Sequence, residues 1–453
     1  MIKDSLHLKA PGNWMNDPNG FIYYQGKYHL FYQHFPYAPA WGTMHWGHAV
    51  SEDLVHWQHQ DIALFPSKDY DRNGIFSGSA VERDGRMLLY YTAVRYLEED
   101  AENIHRCPEG RFESSQAMIS SADGYIFDNW MDKRQIIPVV RDRRYADATH
   151  TRDPKVWKYG NQYYMVLGST LDGQQGRVLF YRSEDGNDWE YVSQYSDKSF
   201  GEILECPDIF RVGDRYVFIG SPMGIMNDGL EYSAHSICTE AEFTEEVCEL
   251  KLAGQHQFVD CGLDLYAPQT CLDKEGRRVM VAWMRMPYAA EADDRAMWRG
   301  MMCLPRIVEL KESHVYFCVH PEVESYFCKR VEDREELDFR TPFRLKTKVQ
   351  AGETIDIGGY RIWVEDDCIR TDRSKVFVRT DYGADTKDVD NYRMISSTPA
   401  LHGKYELDIF VEPNLIEIFV NGGQYVLSNI VYGLGSRLDG HIEEIYIGAS
   451  GDV

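Results

Sequence analysis

The stretch Ser183-Glu184-Asp185-Gly186-Asn187-Asp188-Trp189 combines a serine, an acidic turn and an aromatic residue, and it recurs along the chain. Earlier copies are Ser51-Glu52-Asp53-Leu54-Val55-His56-Trp57 and Ser121-Ala122-Asp123-Gly124-Tyr125-Ile126-Phe127. A weaker copy is expected from Ser236 to Phe243. The copies begin 70, 62 and 53 residues apart, which predicts a structural repeat of about 60 residues.

Short runs rich in aromatic and β-branched residues precede the copies, and turn residues stand just upstream of each run, as β-hairpins require. The runs are Tyr28–Tyr32, Leu88–Thr92, Tyr163–Leu167 and Tyr216–Ile219, after Gly26-Lys27, Asp84-Gly85, Gly160-Asn161 and Gly213-Asp214. A repeat of about 60 residues holds about four strands, which is one propeller blade. We therefore predict a five-bladed β-propeller over residues 1–325, in preference to an irregular β-sandwich, which leaves the recurring turn unexplained.

The character of the chain changes after residue 325. A charged connector is predicted over residues 326–335, around Lys329–Glu336. Beyond it, Tyr405–Val411 alternates, and Leu415–Val420 runs into an Asn-Gly turn. These patterns predict a β-sandwich over residues 336–453 and an all-β fold class for the whole chain.

The composition limits the classes of binding partner and the cellular location that we expect. The net charge of −24 excludes the polyanion-binding classes, so neither nucleic acid nor an anionic membrane is expected as a partner. No apolar run is long enough to span a bilayer, and Met1–His7 lacks the apolar core of a signal peptide. The ten scattered cysteines contain no Cys-x-x-Cys pair. We expect reduced thiols and a cytoplasmic location.

Two acidic residues stand directly before prolines, in Asp17-Pro18 and Asp153-Pro154, and a third stands two positions before one, in Glu205-Cys206-Pro207. Proline forces the preceding residue into extended geometry and is tolerated only at the ends and edges of sheets. We therefore predict that each carboxylate lies at the end of a strand and points into a cleft. Paired carboxylates are typical of enzymes that cleave glycosidic bonds.

The segment Trp14-Met15-Asn16-Asp17-Pro18-Asn19-Gly20 resembles the signature of glycoside hydrolase family 32, the β-fructofuranosidases. Later blocks of that family follow in order, namely Phe76-Ser77-Gly78-Ser79, Arg152-Asp153-Pro154, Glu205-Cys206-Pro207, Tyr266-Ala267-Pro268-Gln269 and Glu417–Asn421. The resemblance covers essentially the whole chain. It implies release of terminal non-reducing β-D-fructofuranosyl residues from sucrose, sucrose 6-phosphate or short fructo-oligosaccharides, with retention of configuration.

The resemblance also implies roles for individual residues. Asp17 is the expected nucleophile and Glu205 the expected general acid and base, while Asp153 stabilises the transition state. Residues expected to bind substrate are Asn16, Gln33, Trp41, Phe76, Ser77, Arg152, Tyr266 and Trp283. Leu265 departs from the family pattern, which carries Phe there, and this leaves the pocket shape beside Tyr266 open.

No cofactor and no metal are expected. His45 and His48 fall on opposite faces of a strand, and Asp71-Arg72-Asn73-Gly74 lacks the later ligands of a calcium loop.

Two functional alternatives remain, a fructosyltransferase that uses a sugar acceptor and a non-catalytic sugar-binding propeller. The preferred substrate is also open. A site for a phosphorylated sugar requires a cation, for which Arg285, Arg295 and Arg299 are candidates. The sandwich offers a surface through which a homo-oligomer is possible.

Overall fold

The chain forms two successive β-rich parts in the computed structural model, which describes residues 2–227, 230–231, 235–377 and 392–448. The first part consists of five largely antiparallel sheets that follow one another along the chain, with one further two-stranded sheet, and the second consists of two sheets with a shared apolar core. The predicted all-β class, a five-bladed propeller followed by a sandwich, is confirmed.

Each propeller blade is built mainly from consecutive strands. Blade 1 holds β1 (Lys3–Ser5), β2 (Asn13–Tyr24), β3 (Lys27–Phe35), β4 (His45–Ser51) and β5 (His56–His59). Blade 2 holds β6 (Gly74–Arg83), β7 (Arg86–Tyr96), β8 (Phe112–Ser121) and β9 (Arg134–Ile137). Blade 3 holds β10 (Arg152–Tyr159), β11 (Gln162–Leu171), β12 (Gln175–Ser183) and β13 (Glu190–Ser196).

Blades 4 and 5 carry insertions. Blade 4 holds β14 (Ile203–Val212) and β15 (Arg215–Met223), then a hairpin of β16 (Met226–Asn227) and β17 (Leu230–Glu231), then β18 (Ile237–Thr244), β19 (Glu249–Leu252) and β20 (Gln257–Phe258). Blade 5 begins with β21 (Leu265–Leu272) and β22 (Arg278–Met284). Next come β23 (Ala290–Ala292) and β24 (Arg295–Arg299), which join blade 1, and β25 (Met301–Met302), β26 (Arg306–Lys311) and β27 (His314–Val319), which complete blade 5.

The recurring sequence turn follows the third strand counted outward from the axis in each of the first three blades, namely β4, β8 and β12. In blade 3, the Ser183 hydroxyl accepts the Gly186 N–H at 2.8 Å, and the Asp185 carboxylate accepts the Asn187 N–H at 2.9 Å. The same bonds form at Ser51 and Asp53 and at Ser121 and Asp123. Short polar side chains that bond nearby backbone are well suited to such turns.

The fourth predicted copy is wrong. Ser236 stands before β18, and Glu240 and Phe243 lie within that strand rather than in a turn. The third strand of blade 4 instead ends at Thr244 and is followed by the turn Glu245–Cys248. Thr244 and Glu245 therefore occupy the position that Ser and its neighbour hold in the first three blades.

The innermost strand of every blade carries an irregularity at the propeller axis. The register shifts between Met15 and Pro18 in β2, and comparable shifts occur in β6, β10, β14 and β21. Prolines fit there because an innermost strand has a free edge, so the missing N–H costs no ladder bond. In β6 the position belongs to Gly78, where a Cβ atom would stand 1.9 Å from the Tyr90 carbonyl oxygen.

The ring of blades is closed by contacts between its two ends. Strand β24 pairs in parallel with β2, with Asn13 opposite Trp298. The N-terminal segment adds a bond from the Met302 N–H to the Leu8 carbonyl at 2.8 Å. Closure at this seam fixes β2, and with it Asp17, against the last blade.

The second part is a sandwich. After α1 (Pro321–Tyr326) come β28 (Lys329–Arg330), β29 (Phe343–Lys348), β30 (Thr354–Ile357), β31 (Tyr360–Glu365), β32 (Cys368–Asp372), β33 (Ile395–Ser397), β34 (Glu406–Glu412), β35 (Leu415–Val420), β36 (Tyr425–Ile430), β37 (Leu438–Asp439) and β38 (Glu444–Ile447). One sheet has the order β28-β38-β29-β34-β35-β36 and the other β33-β32-β31-β30-β37. Short 3₁₀ turns occur at Asp69–Asp71, Pro108–Gly110, Lys198–Phe200 and Arg334–Glu336.

The domain boundaries 1–325, 326–335 and 336–453 stay a prediction, and residue 1 and residues 449–453 at their outer ends lie outside the described residues. Within the predicted connector, β28 pairs with β38 of the sandwich.

The two parts share a buried ion network, which we call the interdomain ion cluster and which comprises His7, Lys9, Arg306, Glu412 and Glu417. The His7 ring contacts Glu412 at 2.6 Å and Glu417 at 2.8 Å. Arg306 reaches Glu417 at 2.6 Å. Every carboxylate of the cluster faces at least one cation, as buried charges require.

Within the described ranges, no helix has the length and hydropathy that a bilayer crossing requires.

Candidate active site

Three carboxylates meet where the inner strands of blades 1, 3 and 4 begin. Asp17 lies in β2, Asp153 in β10 and Glu205 in β14. The predicted position at a strand end holds for Asp153 and Glu205, but it is wrong for Asp17, which is the fifth residue of β2. The feature common to the three positions is an irregularity in the strand, which bends the backbone and re-aims the side chain.

Asp17 is held by two short polar side chains. Its Oδ2 accepts the Ser77 hydroxyl at 2.6 Å and its Oδ1 accepts the Asn16 amide at 3.2 Å. The Gln33 amide in turn donates to the Ser77 oxygen at 2.9 Å. Burial raises the pKa of Asp17 to about 6, with the Ser77 hydrogen bond opposing the shift and the charge of Glu205 adding to it.

Asp153 adopts a strained backbone conformation, with φ of 64°. Its N–H donates to the Thr92 hydroxyl at 2.9 Å, and Thr92 donates to the Gln116 side-chain oxygen at 2.9 Å. Its Oδ2 accepts the Cys206 N–H at 2.9 Å. Burial and the charge of Glu205 raise the pKa of Asp153 to about 7, with Arg152 opposing the shift.

Glu205 is held through both of its oxygens. Arg152 approaches Oε1 with Nε at 2.9 Å and with Nη2 at 2.8 Å. The Tyr266 hydroxyl donates to Oε2 at 2.6 Å, and the Ser221 carbonyl lies 3.4 Å from the same hydroxyl. Both Arg152 and Tyr266 were predicted to bind substrate, and the structure places both on this carboxylate.

Cys206 lies between the first two carboxylates. Its sulfur is 3.7 Å from Asp17 Oδ2 and 3.5 Å from Asp153 Oδ2. Burial, together with the charges of Asp153 and Asp17, raises the pKa of this thiol well above its ordinary value. The side chain therefore remains a protonated donor and has no character of a nucleophile.

Aromatic side chains line the entrance. Trp14 packs edge-on against Trp283 at 5.8 Å, and its indole N–H donates to Asn16 at 2.7 Å. On the other side, Trp41 is 46% exposed and its ring lies 6.1 Å from that of Phe76, the residue before Ser77. Of the eight residues predicted to bind substrate, four contact a carboxylate directly, namely Asn16, Ser77, Arg152 and Tyr266. The other four contact neighbours of those residues: Gln33 bonds Ser77, Phe76 precedes Ser77, Trp41 contacts Phe76, and Trp283 contacts Trp14.

The three candidate cations for a phosphate differ in position. Arg295 is buried and paired with Asp4 at 2.7 Å, so it is no part of the site, because that ion pair helps hold the N-terminal segment. Arg299 donates to the Met286 carbonyl and lies 4.9 Å from the Trp14 ring. Arg285 lies 5.9 Å from the Trp283 ring, on the same side of the entrance.

The two sequence patterns that were judged not to bind metal, His45 with His48 and Asp71–Gly74, have other partners in the structure. His45 bonds the Thr43 carbonyl, whereas His48 bonds His29 at 3.0 Å. Asp71 is buried and forms an ion pair with Lys133 at 2.7 Å. In the ranges that the structure describes, His, Cys, Asp and Glu side chains form no group of three that would hold a metal ion.

Sequence reasoning missed several supporting residues. Thr92, Gln116 and Ser221 stand in ordinary strands, and their sequence neighbourhood gives no signal of a role. His150 accepts from Arg152 at 3.2 Å, and its place two residues before Arg152 was the one available hint.

Comparisons with known proteins agree with this geometry. The family model described as glycosyl hydrolases family 32 N-terminal domain matches residues 7–321, and the model of the C-terminal domain of the same family matches residues 338–446. A sucrose-6-phosphate hydrolase of Escherichia coli is 31% identical over 455 residues, covering 94% of this chain and 88% of that protein.

A raffinose invertase of Escherichia coli is 33% identical, covering 94% of this chain and 89% of that protein. Among solved structures, a Bombyx mori GH32 β-fructofuranosidase superposes with a TM-score of 0.78 at 27% identity, over 98% of this chain and 93% of that chain.

Proposed function

Because the chain belongs to glycoside hydrolase family 32, we propose that it is a β-fructofuranosidase with Asp17 and Glu205 as its catalytic pair. It releases terminal non-reducing β-D-fructofuranosyl residues from sucrose, sucrose 6-phosphate or short fructo-oligosaccharides. The observation that supports these roles is the convergence of three carboxylates from three blades on one aromatic-lined entrance, with Asp153 buried and Asp17 and Glu205 half-buried.

In the first step Asp17 attacks the anomeric carbon of the fructosyl unit and Glu205 protonates the departing oxygen. This forms a fructosyl ester of Asp17. In the second step Glu205 removes a proton from water, which displaces Asp17 and releases fructose with its configuration retained. Asp17 must be ionised to attack, and its raised pKa of about 6 leaves it mostly ionised at neutral pH.

The contacts of Glu205 indicate which of its oxygens carries the proton. Oε1 already receives two N–H groups from Arg152, which leaves little room for a proton there. Oε2 receives only the Tyr266 hydroxyl, which has a second acceptor in the Ser221 carbonyl. We therefore assign the transferred proton to Oε2, with Tyr266 turning towards Ser221 when Glu205 is protonated.

Asp153 binds fructose hydroxyls with the carboxylate oxygen that Cys206 does not occupy. Such bonds strengthen as positive charge develops on the sugar ring in the transition state. The strained backbone at Asp153, together with its bonds to Thr92 and Cys206, fixes the carboxylate before substrate arrives.

The cellular setting is also a proposal. All ten cysteines are free thiols in the structure, which supports a reducing compartment such as the cytoplasm. Association of copies through the sandwich domain stays a prediction, and sedimentation of the purified chain would test it.

Rescue by azide tests the two roles separately. The substrate is p-nitrophenyl β-D-fructofuranoside, whose leaving group needs no proton. Glu205→Ala should therefore still form the fructosyl ester of Asp17, but without its general base it should need azide to cleave that ester, which yields the β-fructosyl azide. Asp17→Ala should yield the α-fructosyl azide, because a single displacement inverts the centre. The same azide configuration from both variants would contradict the assignment.

Wild-type methanolysis of sucrose provides the control. Retention requires methyl β-D-fructofuranoside, and an α product would refute the two-step scheme. If the wild type released no fructose from any fructoside, the enzymatic proposal itself would be wrong.

A further inference from the structure

A cleft of about 890 Å³ opens next to the active site and has no role in the mechanism above. We call it the side cleft. Its walls come from three loops, residues 36–44, 60–73 and 97–111, and its lining includes Tyr37, His45, Asn73, Glu99, Ile104 and His105. A volume of this size is typical of sites for small organic ligands.

Strand direction places the side cleft at the same end of the propeller as the carboxylates. The inner strands β2, β10 and β14 begin at that end, and in an antiparallel blade the second strand finishes where the first begins. The three loops of the cleft leave β3, β5 and β7 at this end and lead into β4, β6 and β8.

Ring contacts of Phe35 and Phe76 link the side cleft to the catalytic residues. Phe35 shares an apolar cluster with Trp14, and its ring lies 4.8 Å from His105. Phe76 adjoins that cluster, stands next to Ser77 in the chain and contacts Trp41. Trp41 therefore stands at the border, with one neighbour on the catalytic side and its own loop in the cleft wall.

The side cleft presents apolar faces to solvent. Of the residues that line it, Tyr37 is 70% exposed, Ile104 is 64% exposed and Ile62 is 39% exposed. Exposed apolar surface that lines a concave site is a mark of ligand binding. Rings such as Tyr37 and Trp41 provide flat faces for the C–H surfaces of sugars.

Polar groups in the side cleft are held in place by one another. Asn73 accepts the Tyr96 N–H at 2.9 Å and donates to Glu99 at 3.1 Å, and Glu99 also pairs with Arg72 at 3.2 Å. His105 and His45 each bond Thr43 through Nδ1. Their Nε2 atoms bond to no other described residue, so both rings keep hydrogen-bonding capacity for hydroxyl groups.

The electrostatics of the side cleft favour an uncharged ligand. Arg72 is balanced by Glu99 and by Asp69 at 3.9 Å. Burial lowers the pKa of His45, so its imidazole carries no charge at neutral pH. A phosphorylated sugar would meet Glu99 with no uncompensated cation among the described residues of the cleft lining.

We propose that the side cleft binds the leaving group of uncharged oligosaccharides, so that substrates whose leaving group contains two or more hexoses gain affinity there. This inference rests on the proposed fructosidase function and specifies its substrate class. Sucrose, whose leaving group is a single hexose, reaches the border at Trp41 but not Tyr37 or Ile104.

The test compares kinetics of sucrose, raffinose and 1-kestose for the wild type and Tyr37→Ala. Loss of one stacking face should raise KM for raffinose and 1-kestose about tenfold while KM and kcat for sucrose stay within about twofold. A matched control is Tyr159→Ala, since Tyr159 is 43% exposed at the opposite end of β10. That control should leave all three substrates unchanged.

A second measurement uses the leaving group alone. Melibiose, the product that raffinose leaves behind, should inhibit sucrose hydrolysis, and Tyr37→Ala or Glu99→Gln should weaken this inhibition severalfold. If Tyr37→Ala changed KM for sucrose and for the trisaccharides by the same factor, or changed neither, the proposal that the side cleft binds the leaving group would be wrong. Absence of fructose release by the wild type would overturn the proposed function instead.

Discussion

Asp17 and Asp153 at the propeller axis and Glu412 and Glu417 of the interdomain ion cluster are all largely shielded from solvent, yet the pKa values of the two pairs move in opposite directions. Burial dominates at the axis and raises the pKa of Asp17 to about 6 and that of Asp153 to about 7. In the cluster burial also acts to raise the pKa of Glu412, but the charges of Lys9 and His7 outweigh it and hold that pKa at about 2.

The difference lies in the balance of charge. The axis brings three carboxylates together with Arg152, the cation that contacts them among the described residues, and Arg152 is bonded to Glu205. In the cluster, Glu412 and Glu417 face His7, Lys9 and Arg306. The cluster is thus arranged for stability, whereas the axis concentrates negative charge that only a reacting sugar compensates.

The largest expected effect is on activity at the axis. Asp17→Asn keeps the shape of the side chain but removes the nucleophile, so kcat for sucrose should fall by about 10³-fold or more. The measurement is fructose release at saturating sucrose, with Asp128→Asn as a control at an exposed turn. A loss below tenfold would show that Asp17 is not the nucleophile.

The next effect is on stability at the cluster. His7 bonds a carboxylate through each ring nitrogen, so His7→Gln should cost about 3 kcal/mol in the free energy of unfolding. Because none of the contacts of Glu412 and Glu417 involves Asp17, Asp153 or Glu205, kcat/KM should change less than threefold.

The stabilisation that His7 provides should decrease as the pH rises. Burial acts to lower the pKa of His7, but Glu412 and Glu417 outweigh it and raise that pKa to about 9. The stabilisation is therefore complete below pH 6.5 and disappears as the pH rises through 9. Thermal unfolding at pH 6 and pH 9.5 checks this, since wild type and His7→Gln should differ mainly at pH 6.

Asp17→Asn should increase the free energy of unfolding, by no more than His7→Gln decreases it. An acid whose folded pKa is raised destabilises the fold once it ionises, a penalty absent below pH 3.8 and complete above pH 6. The variant should therefore gain about 3 kcal/mol or less at pH 7.5, and the gain should shrink towards pH 4. Destabilisation at pH 7.5 would contradict the contrast between the two regions.

The smallest effect concerns Ser77. Its hydroxyl bond to Asp17 lowers the pKa of that carboxyl, so Ser77→Ala should raise it. The acidic limb of kcat/KM, expected near pH 6 in the wild type, should move up by up to about one pH unit. Ser77→Thr keeps the hydroxyl and should leave the limb in place.

Much of the fold could be predicted because its signals are local. The hydrogen bonds of each Ser-x-Asp turn join residues within five positions of one another, so each turn is visible in the sequence. The spacing between these turns along the chain therefore predicts the length of a blade. The failure at Ser236 has the same origin, since the motif was matched by composition and the strand that contains Phe243 was not apparent.

The sequence predicted which residues form the candidate site but not the hydrogen bonds and ion pairs between them. Prolines marked the three carboxylates, but the roles of Arg152 and Tyr266 in holding Glu205 depend on contacts 53 and 61 residues apart. The position of Cys206 between Asp17 and Asp153 could not be predicted, because it depends on how blades 1, 3 and 4 meet.

The sequence by itself determined the β-class, the repeat and the identity of the acidic residues, because turn chemistry and proline geometry act within a few residues. Only the tertiary structure decided the charge balance around each carboxylate. His7 meets Glu412 and Glu417 across separations of 405 and 410 residues, and the side cleft forms from three loops of two blades. Electrostatic energy depends on distance in space, which the order of residues along a chain does not specify.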